Sequence, residues 1–259
     1  MKNNQSPEQF YDSIVDEYDE MTDMERRFSK EMPVFQSLAK KYNLATALDA
    51  GSGTGVHSIL LAQLGLQVTA TDISEHMLHA AQKNAKQKGV RLETIRTSFI
   101  EIQKNVKKIY DAVFCLGNSL SHILKENELL NSLKGFYKVL NPGGQLFVQM
   151  LNYDRIMKNR ERIQSIKEVN GKIFIRFYDY LDKTLLFNIL TMHKQEGTMK
   201  HSLHSVEIFP WQSEDLVRTL KDAGYSTIQL FGNMTLNAYD KLSSKDLVIL
   251  AQREGDIRM

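Results

Sequence analysis

Between residues 45 and 151 short apolar runs alternate with helical segments, and this rhythm limits the fold more than any other feature of the chain. ATALD (45–49) precedes a helix near 55–64, and QVTAT (67–71) precedes a helix near 75–88. RLETI (91–95) and YDAVFC (110–115) follow. A helix near 126–140 then carries Leu129, Leu130, Leu133, Phe136, Tyr137 and Leu140 on one stripe. Asn-Pro-Gly-Gly at 141–144 ends that helix, and QLFVQML (145–151) reads as another buried strand. Strands joined by crossover helices pair in parallel, and helices on both faces explain why the strands are apolar without alternation.

The flanks read differently. Residues 8–42 look helical, with Phe10, Ile14, Val15 and Tyr18 at helical spacing. KIFIRFYDY (172–180), LLFNILTMHK (185–194) and HSLHSVEIF (201–209) are β-rich with no helix between them, which predicts an antiparallel insertion. SEDLVRTLKDAG (213–224) predicts a helix with Ser213 as N-cap, an acidic first turn and a terminal glycine. Strands near 226–231 and 246–252 return to the main sheet. The expected class is α/β: a Rossmann-like, doubly wound, mostly parallel sheet over 45–151 and 210–259, an N-terminal helical cap over 1–44, and an antiparallel β-rich lid over 152–209.

Charge and cysteine content narrow the partners. Lys and Arg total 33 against 31 Asp and Glu, so no concentrated basic face argues for nucleic acid. The clusters Lys83-Lys86-Lys88 and Lys104-Lys107-Lys108 read as solvated surface. Cys115, the single cysteine, supports neither an internal disulfide nor a Cys-x-x-Cys site. No run approaches the roughly 20 apolar residues of a membrane span, and MKNNQSPEQF shows no secretory signal. A cytoplasmic protein without membrane partners is expected. His201 and His204 would face opposite sides of a strand, so no metal site is expected.

Leu48-Asp49-Ala50-Gly51-Ser52-Gly53-Thr54-Gly55 lies between a predicted strand and helix, the context that gives a glycine-rich turn meaning. A dinucleotide fingerprint would need a third glycine at position 56, where Val56 stands, and no G-x-x-x-x-G-K-[ST] loop occurs. Asp72 ends the second strand, 21 residues after Gly51, where a carboxylate can accept from both ribose hydroxyls. Asp49 at the start of the turn suits a ligand with positive charge there. A ribose-bearing, partly cationic small molecule fits best, namely S-adenosylmethionine, with S-adenosylhomocysteine as product.

With these features, residues 8–252 resemble the class I S-adenosylmethionine-dependent methyltransferases. The resemblance implies that Gly51 and Gly53 line the methionine portion, Asp72 grips the ribose, Ile73 and Met77 flank the adenine, and Leu116 contributes backbone beside the donor. A closer resemblance lies in Cys115-Leu116-Gly117-Asn118-Ser119-Leu120-Ser121-His122 and Asn152-Tyr153-Asp154, which look like the glycine and sarcosine N-methyltransferases. It implies that Asn118 lies near the acceptor, that Arg27 meets the donor carboxylate, and that Tyr11 and Tyr18 close over the donor. Three positions depart from that pattern. Leu151 replaces an Arg that holds the glycine carboxylate, Ser98 (followed by Phe99) replaces an acidic contact to adenine, and Asn233 replaces an acidic residue.

Methyl transfer from a sulfonium is an in-line displacement with an activated leaving group. Orientation alone can supply about 7–11 kcal/mol, so no firm acid–base residue is expected. In KIFIRFYDY, alternation puts Phe174, Arg176, Tyr178 and Tyr180 on one face and Ile173, Ile175 and Phe177 on the other. The aliphatic face is expected to pack on the domain. The other offers Arg176 as an anion grip beside Tyr178, unless Arg176 pairs with Asp179 or solvent. His122 reads as a local packing or hydrogen-bonding residue rather than a base, Cys115 as buried and Trp211 as a staple at its turn. The expected acceptor is a small molecule, with an amine nitrogen favoured on resemblance. The rivals are O-methyl transfer, an NAD-dependent oxidoreductase using Asp72, and a donor-binding protein without turnover. The oligomeric state is open.

Overall fold

The structure, a computed structural model, describes residues 4–195 and 197–255. A short strand β1 (Asn4–Gln5) leads into helix α1 (Pro7–Thr22). Ser6 and Gln9 form a reciprocal capping box at its start, and Pro7 has no N–H to leave unsatisfied. The single helical stretch expected over 8–42 is in fact two helices. Asp23 adopts a left-handed conformation (φ 57°) that ends α1 and starts α2 (Met24–Lys41). The break separates two packing duties. α1 buries Phe10, Ile14 and Met21 in the cluster that includes the lid, whereas α2 buries Phe28, Phe35 and Leu38 with α3 (Val56–Gln63).

Strand β2 (Thr46–Ala50) precedes α3, β3 (Gln67–Asp72) precedes α4 (Glu75–Gln87), and β4 (Glu93–Arg96) precedes the short helix α5 (Ile102–Asn105). Next come β5 (Tyr110–Cys115), α6 (Glu126–Lys138), β6 (Leu140–Leu151) and α7 (Tyr153–Asn159). The lid strands are β7 (Ile163–Val169), β8 (Lys172–Tyr180), β9 (Leu185–Gln195) and β10 (Thr198–Ile208). Helix α8 (Ser213–Asp222) and strands β11 (Tyr225–Phe231) and β12 (Asp246–Arg253) finish the fold. The main sheet has order β11-β12-β6-β5-β2-β3-β4, with β6 through β4 parallel and β12 antiparallel to both neighbours. The second sheet, β1-β10-β9-β8-β7, is antiparallel apart from the parallel β1–β10 edge.

Three local expectations change. Asn-Pro-Gly-Gly lies inside β6 rather than ahead of it, at the point where the β5–β6 register shifts. Ser213 is the first residue of α8, not its cap. Its N–H is taken by Asp154 Oδ2 at 3.0 Å, so a carboxylate from α7 caps the helix in place of a local hydroxyl. In β8 the predicted faces are inverted. Phe174 and Tyr178, each 1% exposed, point inward with Arg176, while Ile173, Ile175 and Phe177 are only partly covered. Inward-facing partners across the ladder are Thr191, Ile189 and Phe187, so the aromatic face is completed by β9 and packs toward α1. Among the described residues no helix is long and apolar enough to cross a membrane.

Candidate active site

The strand order reverses between β2 and β5, and a pocket opens beyond the carboxyl ends of those strands. β2 runs into the glycine turn, which β3 fixes from beside it: the Gly51 and Ser52 N–H groups donate to Thr71 O at 2.8 and 2.9 Å. Gly51 has φ +75°, and a Cβ there would stand 3.0 Å from both Phe99 Cζ and Ser119 Oγ. Only bare backbone lets those two walls approach the turn.

Asp72 holds the far side. Its Oδ2 accepts from the Gly53 N–H and its Oδ1 from the Ser74 N–H, both at 2.9 Å. Burial raises its carboxyl to about 6, against the pull of those backbone donors toward the ionised form. Tyr11, Tyr18, Arg27, Gly51, Gly53, Asp72, Ile73, Ser98, Phe99 and Leu116 all line this pocket. Its lining therefore combines aromatic and apolar side chains with one carboxylate, Asp72, and one guanidinium, Arg27.

Two expected contacts lie behind the wall. Asp49 is buried beneath the turn, where burial raises its pKa and Ser58 Oγ donates to it at 2.6 Å. Its charge reaches the pocket through the field rather than by contact. Met77 is fully buried in the first turn of α4, where its N–H donates to the N-cap Ser74 Oγ at 3.0 Å, and it does not line the pocket. Sequence reasoning also missed His57, Thr97, Ser119 and His122 as lining residues. His57 was within reach of the motif, two residues past Gly55, whereas Thr97 and Ser119 carry no local signal.

A second, inner cavity of about 70 Å³ abuts the pocket and shares Tyr11, Tyr18, Gly117 and His122 with it. Asn118, Gln164, Arg176 and Tyr178 line its far side, with Leu151 and Phe187. The Asn118 amide is engaged structurally: Nδ2 donates to Tyr153 Oη at 2.8 Å and Ser121 Oγ at 3.0 Å, and Oδ1 accepts from the Leu151 N–H at 3.1 Å. Arg176 Nε donates to Ser165 Oγ at 2.7 Å, and Asp179 pairs with Arg162 instead, at 2.9 Å. Among the described residues Arg176 has no carboxylate partner. At the junction, burial pushes the Tyr11 and Tyr18 phenols up and the His122 imidazole down to about 4. The phenols therefore stay protonated and the imidazole neutral near pH 7.

Comparison with known proteins places this geometry. The model of a methyltransferase domain family matches residues 47–144. The glycine/sarcosine N-methyltransferase of Halorhodospira halochloris is 28% identical over 233 residues, covering 87% of this chain and 82% of that protein. The rat glycine N-methyltransferase is 32% identical over 131 residues, covering 46% of this chain and 45% of that enzyme. An S-adenosylmethionine-dependent methyltransferase of Clostridium acetobutylicum superposes with a TM-score of 0.80 at 16% identity, covering 95% of this chain and 99% of that one. These relatives, with the carboxylate at Asp72 and Val56 in place of a third glycine, favour S-adenosylmethionine over a dinucleotide. The chain is a class I S-adenosylmethionine-dependent methyltransferase.

Proposed function

We propose that this enzyme methylates the nitrogen of a small amine that also carries an anionic group. The observation that carries the reading is the inner cavity: it adjoins the donor pocket, sharing Tyr11, Tyr18, Gly117 and His122 with it, and it holds Arg176 without a carboxylate partner among the described residues. At about 10–15 Å³ per water-sized site, 70 Å³ holds about five such sites, which limits the acceptor to a handful of non-hydrogen atoms. Two of the relatives named above are a glycine/sarcosine and a glycine N-methyltransferase, and glycine and sarcosine are amines of that size that carry a carboxylate. In this chain Leu151 stands where that group has its Arg, and Arg176 takes over the anion from the lid side.

When bound, S-adenosylmethionine supplies an electrophilic methyl group on a sulfonium. The residues of the chain do the rest. Asp72 would accept from the ribose hydroxyls, Ile73, Phe99 and the Ser98 backbone would flank the adenine, and Arg27 would face the donor carboxylate. Tyr11 and Tyr18 wall off solvent between the two chambers. Tyr178 shapes the acceptor side and Asn118 holds the turn that carries Gly117. No side chain at the junction is a strong base at neutral pH, so the acceptor enters as the free amine and its alignment supplies most of the rate.

We divide the work accordingly: residues 1–44 as cap, 45–151 and 210–259 as donor domain, and 152–209 as acceptor lid. Cys115, buried and unpaired, is at home in a reducing cytoplasm. Neither nucleic acid nor a membrane takes part in this reading. The test is mass-spectrometric turnover across small amines with and without a carboxylate, using S-adenosylmethionine as donor. A product one methylene heavier from the carboxylated amines alone supports the proposal. Equal turnover of neutral amines, or methylation on oxygen only, overturns it.

A further inference from the structure

Arg27, Glu31 and His57 form a closed triangle where α2 meets the start of α3. Arg27 Nε donates to Glu31 Oε1 at 2.9 Å, Arg27 Nη2 lies 2.8 Å from His57 Nε2, and His57 Nε2 lies 3.0 Å from Glu31 Oε2. The His57 ring is held against Phe35, with ring centroids 5.4 Å apart. Arg27 and His57 line the donor pocket, whereas Glu31 stands behind them.

The protons of this triangle cannot all be satisfied at once. A guanidinium only donates, and an ionised carboxylate only accepts. Burial alone would raise the Glu31 carboxyl, but the hydrogen bond and charge of His57 and the Arg27 guanidinium hold it down to about 2, so it is ionised. A bare His57 Nε2 can take the Arg27 N–H but turns its lone pair on Glu31. A protonated Nε2 can donate to Glu31 but then opposes the Arg27 N–H. The other charge facing His57 is Asp49, from β2, and it too is an acid. An anion on the pocket side removes the conflict: Arg27 Nη2 turns to the anion and His57 Nε2–H donates to Glu31.

We infer that Glu31 and His57 are positioning residues for Arg27, holding its guanidinium for the carboxylate of the donor's amino-acid tail, with the triangle's hydrogen bonds completed only when that carboxylate arrives. This rests on the reading of the pocket as the S-adenosylmethionine site.

The test compares two ligands by titration calorimetry on the full chain. S-adenosylhomocysteine carries the carboxylate; 5′-methylthioadenosine keeps the adenosine and sulfur but lacks the tail. His57→Phe keeps the packing on Phe35 and removes the ring nitrogens, and Glu31→Gln removes the charge on the other helix. Each variant is expected to weaken S-adenosylhomocysteine about tenfold to a hundredfold, the range for hydrogen bonds to charged groups. Each should leave methylthioadenosine within about twofold, as substitutions away from a contact do. Equal weakening of both ligands, or of neither, overturns the inference, since a merely structural role does not distinguish them. A wild-type chain that binds neither ligand overturns the donor reading itself, and this inference with it.

Discussion

Tyr11 on α1 and His122 beyond β5, 111 residues apart in sequence, meet with the phenol oxygen 2.8 Å from the imidazole Nε2. The rings are edge-on, with centroids 5.3 Å apart, and the contact lies where the donor pocket and the inner cavity meet. His122 Nδ1 is buried without a partner, and burial holds the ring's pKa at about 4. An imidazole that titrates near 4 when folded and near 6.5 when unfolded binds fewer protons in the folded state between those values. Its contribution to stability is therefore full above 6.5 and lost as pH falls toward 4. In urea unfolding at pH 7.5 and 5, the wild type should lose about 1–2 kcal/mol more than His122→Gln. A difference that does not change with pH would show that His122 titrates normally.

Asp72 runs the opposite way. Its carboxyl, raised by burial to about 6 from 3.8, binds its proton more tightly folded than unfolded. Stability from this group falls as pH rises from 3.8 to about 6 and is level above that. Asp72→Asn should therefore gain melting temperature relative to wild type as pH is raised from 5 to 7.5. It should also weaken S-adenosylhomocysteine at least about tenfold, because a charge-assisted acceptor for the ribose is gone. A variant that binds the product like wild type would remove Asp72 from the site.

Gly55 and Gly65 separate conformational strain from crowding. Both have positive φ, +87° and +91°. A Cβ on Gly55 would stand 2.8 Å from Ala81 Cβ and 3.2 Å from its Cα, whereas nothing lies within 4 Å at Gly65. Gly65→Ala should cost about 1–2 kcal/mol from the left-handed backbone. Gly55→Ala should add about 1–3 kcal/mol of overpacking against α4. Equal melting temperatures for the two would contradict the tight turn.

Arg176→Ala should raise acceptor KM by about tenfold or more, the loss of one charge-assisted contact, with donor KM unchanged. Arg176→Lys should recover part of it, since an ammonium keeps the charge but not the fork. If acceptor KM stays where it was, the anion grip lies elsewhere.

Much of this was legible because it is local. The alternation over 45–151 announced a parallel sheet, and the glycine turn between β2 and α3 with Asp72 at the end of β3 marked the ligand crevice. Arg27, Tyr11 and Tyr18 came from resemblance, and all three line the pocket. The misreadings share one cause. Periodicity names two faces of β8 but not which one turns inward, and that depended on β9 and α1. Asp23 and Ser213 carry no signal that α1 must leave the α2 axis, or that Asp154 will cap α8.

The strand–helix alternation over 45–151, the need for glycine at Gly51 and the placing of a carboxylate at Asp72 were written in the chain alone, because backbone sterics and burial periodicity act over a few residues; the short strand β1, helix α7 and the lid strand β7 were not. Tertiary structure decided which polar atoms lost water and which partners they found: the neutral His122, the Arg27–Glu31–His57 triangle, and Arg176 bonded to Ser165 with no carboxylate partner among the described residues. Desolvation and pairing depend on neighbours brought together from distant parts of the chain, and no short window of sequence contains them.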